Sequence, residues 1–296
     1  MINIAKADPR GKAMRLCWFD DHRFGLVRDG RVFDVGTALE GVIPNDYPRR
    51  GGDPVLTCLE KLAPEIEVAA RTAPSRRLED VRFLSPVARP SKIVGTPANY
   101  LKHVEEAEGD LATFTNRYSG PIRDQGLFLK SVSALIGPSE GVSLRFPERR
   151  TDHEMELGVV IGRKASRIGE SEAMDHVAGY AIALDMVVRG PEDRSFRKSV
   201  DTYAVLGPWL VTKDEIVDPQ NMDFSLSVNG ERRQASNTRF MILSIAEQIA
   251  WASQFYTLWP GDIIMTGTCE GVGQVFAGDV MHCVIDQIGE MDVAVE

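Results

Sequence analysis

Residues 152–162 read Asp-His-Glu-Met-Glu-Leu-Gly-Val-Val-Ile-Gly, a pattern that predicts a β-strand running into a glycine. Because side chains alternate between the faces of a strand, Glu154 and Glu156 are expected to project to the same face. Two neighbouring carboxylates repel each other and lose hydration, and a divalent cation that prefers oxygen ligands relieves both costs. A solvated charged edge is the alternative, but the pair opens the apolar run 157–161, which favours a buried metal site.

The overall composition is that of a globular protein. The chain has 296 residues, of which 43% are hydrophobic and 26% charged, enough for a large core and one or two domains. Its formal net charge is -9, and no block of Lys or Arg stands out, which argues against a nucleic acid as the main partner. No apolar run approaches the length of a membrane span, so no membrane partner is expected.

The cysteines and the first residues of the chain indicate the cellular compartment in which the protein is expected. Cys17, Cys58, Cys269 and Cys283 are far apart and form no CxxC motif, which argues against structural zinc and against a disulfide framework. Residues 1–8 lack the apolar core of a signal peptide. The expected location is therefore a reducing cytoplasm.

The pattern of turns and strands divides the chain into two regions. In residues 1–85, Asp29-Gly30 within the segment 24–33 predicts a hairpin, and Asp53 with Pro54 predicts the start of a helix through Leu62. A stretch rich in Pro and Ser follows and leads into the second region. We therefore expect a small N-terminal α+β domain over residues 1–85 and a larger domain over residues 86–296.

The second region is predicted to be mostly strand. Phe224, Leu226 and Val228 alternate with polar residues and meet Asn229-Gly230, which indicates another hairpin. One helix is predicted to follow, capped by Asn237 or Thr238 and ending before Pro260-Gly261. Its apolar stripe comprises Met241, Ile245, Ile249, Ala252 and Tyr256. The predicted class is β-rich α+β.

Three further side chains suggest chemistry beside the carboxylate pair. His103 and Glu106 are three residues apart, so one helical turn brings them together, and the carboxylate can orient the imidazole and raise its basicity. A surface histidine is the alternative. Asp185 lies within the apolar segment 181–188, where a carboxylate is costly unless it is paired or binds a metal. A structural pair with Arg189 is the alternative for Asp185.

Lys198 and a glycine-rich loop complete the candidate set. Lys198 lies in a polar turn before an apolar segment, and taken alone it indicates a solvated surface lysine. Residues 261–273 predict a buried strand that ends in a Gly/Thr-rich loop, whose backbone amides can hold a carboxylate. The loop has neither a Walker lysine nor a GxGxxG motif, so a nucleotide site is not expected, and a plain tight turn is the alternative.

Taken together and in order, these clusters resemble the fumarylacetoacetate hydrolase family over about residues 92–290. The first 85 residues resemble the added N-terminal region of longer members. The family motifs are Gly-x-x-x-Asn-Tyr-x-x-His at 95–103, Phe-Leu-Lys at 128–130, Asp-x-Glu-x-Glu-Leu at 152–157, Asp185, Lys-Ser-x-Asp-Thr at 198–202, Leu-Gly-Pro-Trp at 206–209, Gly-Asp at 261–262, Thr-Gly-Thr at 266–268 and Gly-Val-Gly at 271–273.

The resemblance implies a mixed β-roll/β-sandwich catalytic domain, a homodimer, and one Mg²⁺ or Mn²⁺ per site, with Ca²⁺ able to occupy the site in crystals. It places the metal ligands at Glu154, Glu156 and Asp185. It implies that His103 and Glu106 activate a water molecule and that Lys198 acts in catalysis. The residues that it places against the substrate are Tyr100, Arg189, Gly267 and Thr268.

This chain departs from the family pattern at three positions. The family often has Asp-x-x-x-Arg-Asp with a Gln two residues later, but here Gly190 replaces the second Asp and Glu192 occupies the Gln position. Cys269 replaces the usual Pro after Thr268. These changes bear on the substrate more than on the metal.

The implied function is a metal-dependent hydrolase that cleaves a carbon–carbon bond in a 2,4-diketo acid, acylpyruvate or fumarylacetoacetate-like, through a metal-stabilised enolate. The alternative is an isomerase or decarboxylase of a ring-cleavage product of the 2-hydroxymuconate or 2-oxo-heptenedioate type. The expected partner is a small 2-oxo acid. The pair His103 and Glu106 favours hydrolysis, because isomerisation needs no activated water. A non-catalytic descendant is not favoured, because the expected metal ligands and Lys198 are all present.

Overall fold

The computed structural model describes residues 13–40, 51–110 and 120–296. Most of the regular structure is strand, which confirms the predicted β-rich α+β class. In chain order, the described strands are β1 (Arg15–Phe19), β2 (Arg23–Arg28), β3 (Arg31–Asp34), β4 (Ser75–Arg77), β5 (Phe83–Leu84), β6 (Ile93–Gly95), β7 (Phe128–Lys130), β8 (Leu135–Ile136), β9 (Thr151–His153), β10 (Met155–Ile161), β11 (Val177–Asp185), β12 (Val187–Val188), β13 (Ala204–Thr212), β14 (Asp223–Val228), β15 (Glu231–Asn237), β16 (Ile263–Met265), β17 (Gly273–Gln274), β18 (Val280–Ile285) and β19 (Gly289–Ala294). The described α-helices are α1 (Pro54–Thr57), α2 (Leu59–Ala70), α3 (Leu101–Gly109), α4 (Ile122–Gln125), α5 (Glu170–Ala173), α6 (Arg194–Lys198) and α7 (Ile245–Phe255).

One large sheet carries strands from both regions of the chain. Its order is β4-β3-β2-β1-β13-β11-β10-β16-β6-β7, with β5 attached to β1 and β8 to β13. Strand β1 pairs antiparallel with β13, with Arg15 opposite Val211, so the first region extends the sheet that contains β10 and β11. The other described strands form two smaller sheets, β12-β9-β17 and β15-β14-β18-β19. The division into two domains at residue 85 stays a prediction.

Both predicted hairpins are confirmed. Strands β2 and β3 meet at Asp29-Gly30, whose φ angles are 50° and 68°, and β14 and β15 meet at Asn229-Gly230, with φ angles of 50° and 82°. Positive φ at both central residues is the requirement of a type I′ turn, which matches the twist of the strands.

The first predicted helix begins where expected but extends further. Asp53 is the N-cap, and its side chain accepts hydrogen bonds from the backbone N–H groups of Val55 and Leu56. The helical segment breaks at Cys58 and continues as α2 to Ala70, beyond the predicted end at Leu62. The sequence signal marked the cap correctly but not the length.

The start of the second predicted helix was wrong. Asn237 does cap a turn, but that turn is a 3₁₀ segment over Thr238–Phe240. Helix α7 begins at Ile245, where Ser244 forms a capping box with Glu247. Met241 lies outside α7 and forms an isolated β-bridge with Tyr100, a tertiary contact that the periodicity could not reveal.

The core lies on both faces of the large sheet. Along β10, Met155 and Leu157 pack in one buried cluster, and Val160 packs in another. The first cluster includes the buried side of α7, and the second includes the buried side of α2. The central strands are therefore covered on both sides. No helix in the described part of the chain is long and apolar enough to cross a membrane.

Candidate active site

Glu154, Glu156 and Asp185 converge at the ends of two paired central strands. Glu154 lies just before β10, Asp185 ends β11, and the N–H of Asp185 donates to the carbonyl oxygen of Glu154 at 2.9 Å. Glu156 lies within β10 opposite Ala183. Carboxylate oxygens from the three residues lie within 4.8 Å of one another, and no more than 5% of any of the three residues is exposed. The expected convergence of these side chains is therefore present.

Two buried lysines lie against these carboxylates. The Nζ of Lys198 donates to Oε2 of Glu154 at 2.6 Å and also to Asp185, while Lys130 at the end of β7 donates to the other oxygen of Asp185. Lys198 is only 6% exposed, so the solvated-lysine alternative is wrong. The lysines are the ion-pair partners of Asp185, whereas Arg189, the partner considered from the sequence, pairs elsewhere.

Arg189 pairs with Asp152 and Glu154. Its Nε donates to Oδ2 of the buried Asp152 at 2.7 Å, and its Nη2 donates to Oε1 of Glu154 at 3.1 Å. Glu154 is therefore held from one side by Lys198 and from the other by Arg189. This pairing fixes the orientation of a carboxylate that the sequence predicted to bind a metal.

The carboxylates differ in their proton affinity. Burial raises the pKa of Glu154, but the positive charges of Lys198 and Arg189 outweigh burial and hold that pKa below its ordinary value. Burial, reinforced by the negative charge of Asp185, raises the pKa of Glu156 well above its ordinary value. Of the two glutamates, Glu156 is thus the one whose negative charge is less compensated by the protein.

The three residues fit a divalent metal ion. All their donor atoms are carboxylate oxygens, which hard cations such as Mg²⁺ and Mn²⁺ prefer. The oxygens are buried and close together, and a cation would offset the burial and the repulsion that raise the pKa of Glu156. We therefore assign Glu154, Glu156 and Asp185 as the residues that would hold the metal, and their role as ligands stays a prediction.

His103 and Glu106 form the expected pair on α3. The Nδ1–H of His103 donates to Oε2 of Glu106 at 2.8 Å. The other oxygen of Glu106 accepts from the backbone N–H of Gly271 at 2.9 Å, which ties the helix to the loop after β16. His103 is 7% exposed and lines the same cavity as Glu154 and Glu156. The contact of the pair is present, and its role in activating water stays a prediction.

A cavity of about 130 Å³ connects these groups. Both carboxylates and cationic side chains line it. The described residues that line it include Thr96, Pro97, His103, Gln125, Phe128, Glu154, Glu156, Asp185, Arg189, Arg194, Arg197, Lys198 and Thr268.

The loop after β16 is held against the carboxylates. The N–H of Gly267 donates to Oε2 of Glu156 at 2.6 Å, so this amide positions a predicted metal ligand as well as lying near the predicted substrate site. Gly267 has φ of 96°, and a Cβ there would lie 2.5 Å from that of Asn99, so glycine is required. Thr268 lines the cavity, and its hydroxyl donates to the carbonyl oxygen of Met155 at 2.7 Å.

Gln234 on β15 joins that loop to the carboxylate strand, and no sequence pattern indicated this contact. Its Oε1 accepts from the N–H of Met155, between Glu154 and Glu156, at 3.0 Å. Its Nε2 donates to the hydroxyl of Thr268 at 2.7 Å. One buried amide thus sets the spacing between the predicted metal ligands and the predicted substrate loop.

Tyr100 is placed differently from the other predicted substrate residues. It is 2% exposed, and its ring lies edge-on to Phe224 with centroids 5.9 Å apart. It is not among the described residues that line the cavity. Burial raises its pKa. The structure therefore does not bring Tyr100 to the cavity with Arg189 and Thr268.

Two of the departures from the family pattern, Gly190 and Glu192, lie against the side chain of Arg149. Arg149 donates to both carboxylate oxygens of Glu192, at 3.0 and 2.7 Å, and to the carbonyl oxygen of Arg189 at 2.8 Å. A Cβ at Gly190 would lie 1.9 Å from Nη2 of Arg149, so only glycine permits this arrangement. Glu192 is thus turned towards Arg149 and is not among the described residues that line the cavity.

Sequence reasoning assigned no role to several residues of the site. Lys130 was part of the Phe-Leu-Lys motif, and the motif was the only available signal for it. Arg194 and Arg197 precede Lys198 in an Arg-x-x-Arg-Lys pattern, which one helical turn brings to one side.

Known proteins resemble this chain in sequence and in structure. Residues 92–296 match the family model described as fumarylacetoacetate (FAA) hydrolase, C-terminal. A maleylpyruvate hydrolase of Aquipseudomonas alcaligenes is 47% identical over 288 residues, which cover 95% of this chain and 99% of the relative. A mitochondrial oxaloacetate tautomerase of Bos taurus is 36% identical over 276 residues, which cover 88% of this chain and 82% of the relative.

One similar crystal structure contains ligands. It is that of the maleylpyruvate hydrolase from Sphingobium sp. SYK-6 in complex with a manganese(II) ion and pyruvate. It is 41% identical, superposes with a TM-score of 0.79, and the match covers 95% of this chain and 98% of that chain.

Proposed function

The chain belongs to the fumarylacetoacetate hydrolase family, and from that premise we propose that it is a metal-dependent hydrolase that cleaves a carbon–carbon bond in acylpyruvates. The observation that carries the proposal is that His103, which is paired with Glu106, lines the same cavity as Glu154, Glu156 and Asp185. The similarity to a maleylpyruvate hydrolase supports it. The manganese and pyruvate of the Sphingobium structure support a divalent cation and a 2-oxo acid as ligands here.

The metal would be Mg²⁺ or Mn²⁺. Held by Glu154, Glu156 and Asp185, it would supply Lewis acidity towards the carboxylate and keto oxygens of a 2-oxo acid. Side chains around this site would carry out the other steps of the reaction.

His103 would act as the general base. With Nδ1 bonded to Glu106, Nε2 is the ring nitrogen that would take a proton from water. The hydroxide attacks the carbonyl carbon at position 4, and the bond between carbons 3 and 4 breaks. The electron pair of that bond passes to the pyruvate fragment, and the proton taken from water returns to its carbon 3. One water is consumed, and one carboxylic acid and one pyruvate are released.

Lys198 would stabilise the negative charge on the departing fragment. Its buried ammonium group lies on the cavity beside Glu154 and Asp185, where charge interactions are strong. Thr268 and its loop would hold the 2-oxo carboxylate. Because negative charge at the keto oxygen grows towards the transition state, Lys198 is expected to affect kcat as well as KM.

A tautomerase or other isomerase is the second candidate, because the chain is also 36% identical to an oxaloacetate tautomerase. Tautomerisation moves a proton and needs no attack by water. The two functions are therefore distinguished by whether a carbon–carbon bond is broken.

The deciding experiment compares acetylpyruvate, longer acylpyruvates and oxaloacetate, with Mg²⁺ or Mn²⁺ present. We expect pyruvate release from acylpyruvates, and we expect Lys198→Met to lower kcat by about 100-fold. Enol-to-keto conversion of oxaloacetate without pyruvate release from any acylpyruvate would favour the tautomerase. An unchanged kcat with a raised KM in Lys198→Met would reduce this lysine to a substrate anchor.

The proposal also includes a homodimer in a reducing, cytoplasmic setting. Light scattering on the purified protein tests the dimer.

A further inference from the structure

Lys130, at the end of β7, is a buried cation beside the candidate metal site. Its side chain has no exposed surface, and its Nζ donates to Oδ1 of Asp185 and, at 3.4 Å, to the carbonyl oxygen of Met186. Lys198 donates to the other oxygen of Asp185. Lys198 lines the cavity, whereas Lys130 is not among the described residues that do so. The two lysines therefore share one carboxylate, but only Lys198 lies where a substrate can contact it.

The backbone around Lys130 is held in place. Lys130 lies opposite Ile93 in the antiparallel pairing of β6 and β7. The next residue donates its N–H to the hydroxyl of Ser199 at 2.8 Å. Burial lowers the pKa of Lys130, and the negative charge of Asp185 acts against that effect. Because the backbone is fixed and the side chain is buried, the ammonium group cannot turn out to water, and Asp185 is the contact that sustains its charge.

The protein already compensates two of the three candidate metal ligands. Asp185 accepts hydrogen bonds from Lys130 and Lys198. Glu154 accepts hydrogen bonds from Lys198 and Arg189. The affinity of an oxygen-ligand site for a divalent ion depends on the charge of its ligands, so these cations reduce the affinity that three free carboxylates would have.

The charge of Lys130 acts in opposite directions on the two ligands of the proposed reaction. It repels a divalent cation held by the carboxylates, and it attracts the anion of a 2-oxo acid bound beside that cation. The energy of each interaction is proportional to the product of the charges, so at similar distances the effect on the dication is twice the effect on a monoanion. Solvent screens such buried charges much less than exposed ones.

We propose that Lys130 balances the two affinities of the site, because it lowers the affinity for the divalent ion and raises the affinity for the 2-oxo acid. It acts through Asp185 and the electric field of its ammonium group, without contact to the substrate. Lys198, by contrast, lies on the cavity itself. This inference rests on the proposed function, from which it takes the metal site and the 2-oxo acid.

The test removes the charge of Lys130 and measures both affinities by titration calorimetry. Lys130→Gln keeps an N–H donor for Asp185 but carries no charge. We expect the Kd of Mn²⁺ without pyruvate to fall by at least about 10-fold, and the Kd of pyruvate at saturating Mn²⁺ to rise by at least about 3-fold. Lys130→Met is a second uncharged variant, which serves if the first does not fold, and it should change both constants in the same directions.

The matched control is Lys92→Gln, which removes the cation of another Lys–Asp pair. The Nζ of Lys92 lies 2.6 Å from Oδ2 of Asp262, whose side chain is also buried, and Lys92 is not among the described residues that line the cavity. This variant should leave both dissociation constants within about 2-fold of those of the unaltered protein.

The opposite signs separate a charge effect from a structural one. Damage to the site would weaken the binding of both ligands, and an uncharged amine at Lys130 would leave both dissociation constants nearly unchanged on its replacement. Changes of the same sign for both ligands, or a change of less than about 2-fold for either, would overturn the role of Lys130 alone. Failure of the unaltered protein to bind Mn²⁺, or to bind pyruvate when Mn²⁺ is present, would refute the metal and 2-oxo acid sites of the proposed function, and this inference with them.

Discussion

The carboxylate group lines the same cavity as His103, but it is built differently from the His103–Glu106 pair. Glu154, Glu156 and Asp185 come from neighbouring central strands, are buried, and are held by groups from several other elements. The pair on α3 comes from a single helical turn and has one observed backbone tether, from Gly271 to Glu106. The first group depends on the assembled sheet, whereas the second needs only a short helix docked in place.

This difference predicts which property of the protein each substitution should change. Loss of a carboxylate should change metal binding and turnover together, because the same oxygens serve both. Loss of the imidazole should change turnover and leave metal binding intact. A structural contact that joins the two parts should mainly change stability, and a buried group that takes part in neither should change almost nothing.

The largest effect is expected at Glu156. Glu156→Ala should abolish binding of Mn²⁺ and lower kcat/KM by at least about 1,000-fold, because two carboxylates supply too few ligands. Titration calorimetry and the metal content of the purified protein measure the first effect, and pyruvate release measures the second. In the unaltered protein, Mn²⁺ at about 100 times its Kd should stabilise the fold by about 2.7 kcal/mol, a gain that the variant should lose.

Glu290→Gln, an exposed carboxylate on β19, is the control for Glu156→Ala. It should behave as the unaltered protein. Full activity after exhaustive chelation, or normal Mn²⁺ binding by Glu156→Ala, would contradict the assignment of the metal ligands.

The next effect is expected at His103. His103→Ala should lower hydrolysis by at least about 100-fold, the usual size for a general base, while Mn²⁺ binding stays normal. Glu106→Gln should cause a smaller loss, of about 10-fold or more, because it only orients the imidazole. Glu108→Gln, an exposed neighbour on the same helix, should have no effect. An unaltered rate in His103→Ala would mean that water is activated elsewhere or that the reaction is not hydrolysis.

A smaller effect, on stability, is expected at Gln234. Gln234→Leu would leave the N–H of Met155 and the partners of its amide nitrogen unsatisfied in the interior. We expect the free energy of unfolding to fall by about 1–3 kcal/mol. Denaturant unfolding measures it, with the exposed Gln274→Leu as control. An unchanged unfolding free energy would show that water or neighbouring groups replace the amide.

The smallest effect is expected at Cys269. Burial, with the negative charge of Glu270, raises the pKa of this thiol to about 12, so it stays protonated at neutral pH and is a poor nucleophile. Cys269→Ala should change kcat/KM by less than about 2-fold, and iodoacetamide should not inactivate the unaltered protein through this residue. A near-complete loss of activity would mean that the loop has a chemical role that its environment does not indicate.

Local patterns were sufficient for much of the fold. The Asp29-Gly30 and Asn229-Gly230 turns and the Asp53 cap follow from backbone preferences of a few adjacent residues, and the structure has all three. The start of α7 could not be predicted in the same way. Asn237 and Ser244 are both acceptable caps, and the tertiary bridge between Met241 and Tyr100 decided between them.

The same distinction applies to the candidate site, where local contacts could be predicted from the sequence and contacts between distant segments could not. The shared face of Glu154 and Glu156 and the contact of His103 with Glu106 could be predicted because strand alternation and helical pitch are properties of the backbone. The pairing of Asp185 with Lys130 and Lys198 could not, since it joins segments that are far apart in the sequence, and three strands separate β7 from β11 in the large sheet.

Patterns in the chain were enough to establish the β-rich class, the principal turns, the chemical character of the carboxylate group and the resemblance to a hydrolase family. The folded arrangement was needed to show which cations compensate those carboxylates, that Gln234 ties β10 to the loop after β16, and that Arg194 shares the Phe128 ring with Lys198. The reason is physical: backbone geometry sets contacts between near neighbours in the chain. Contacts between distant segments depend on strand order, register and packing, which arise only when the whole sheet assembles.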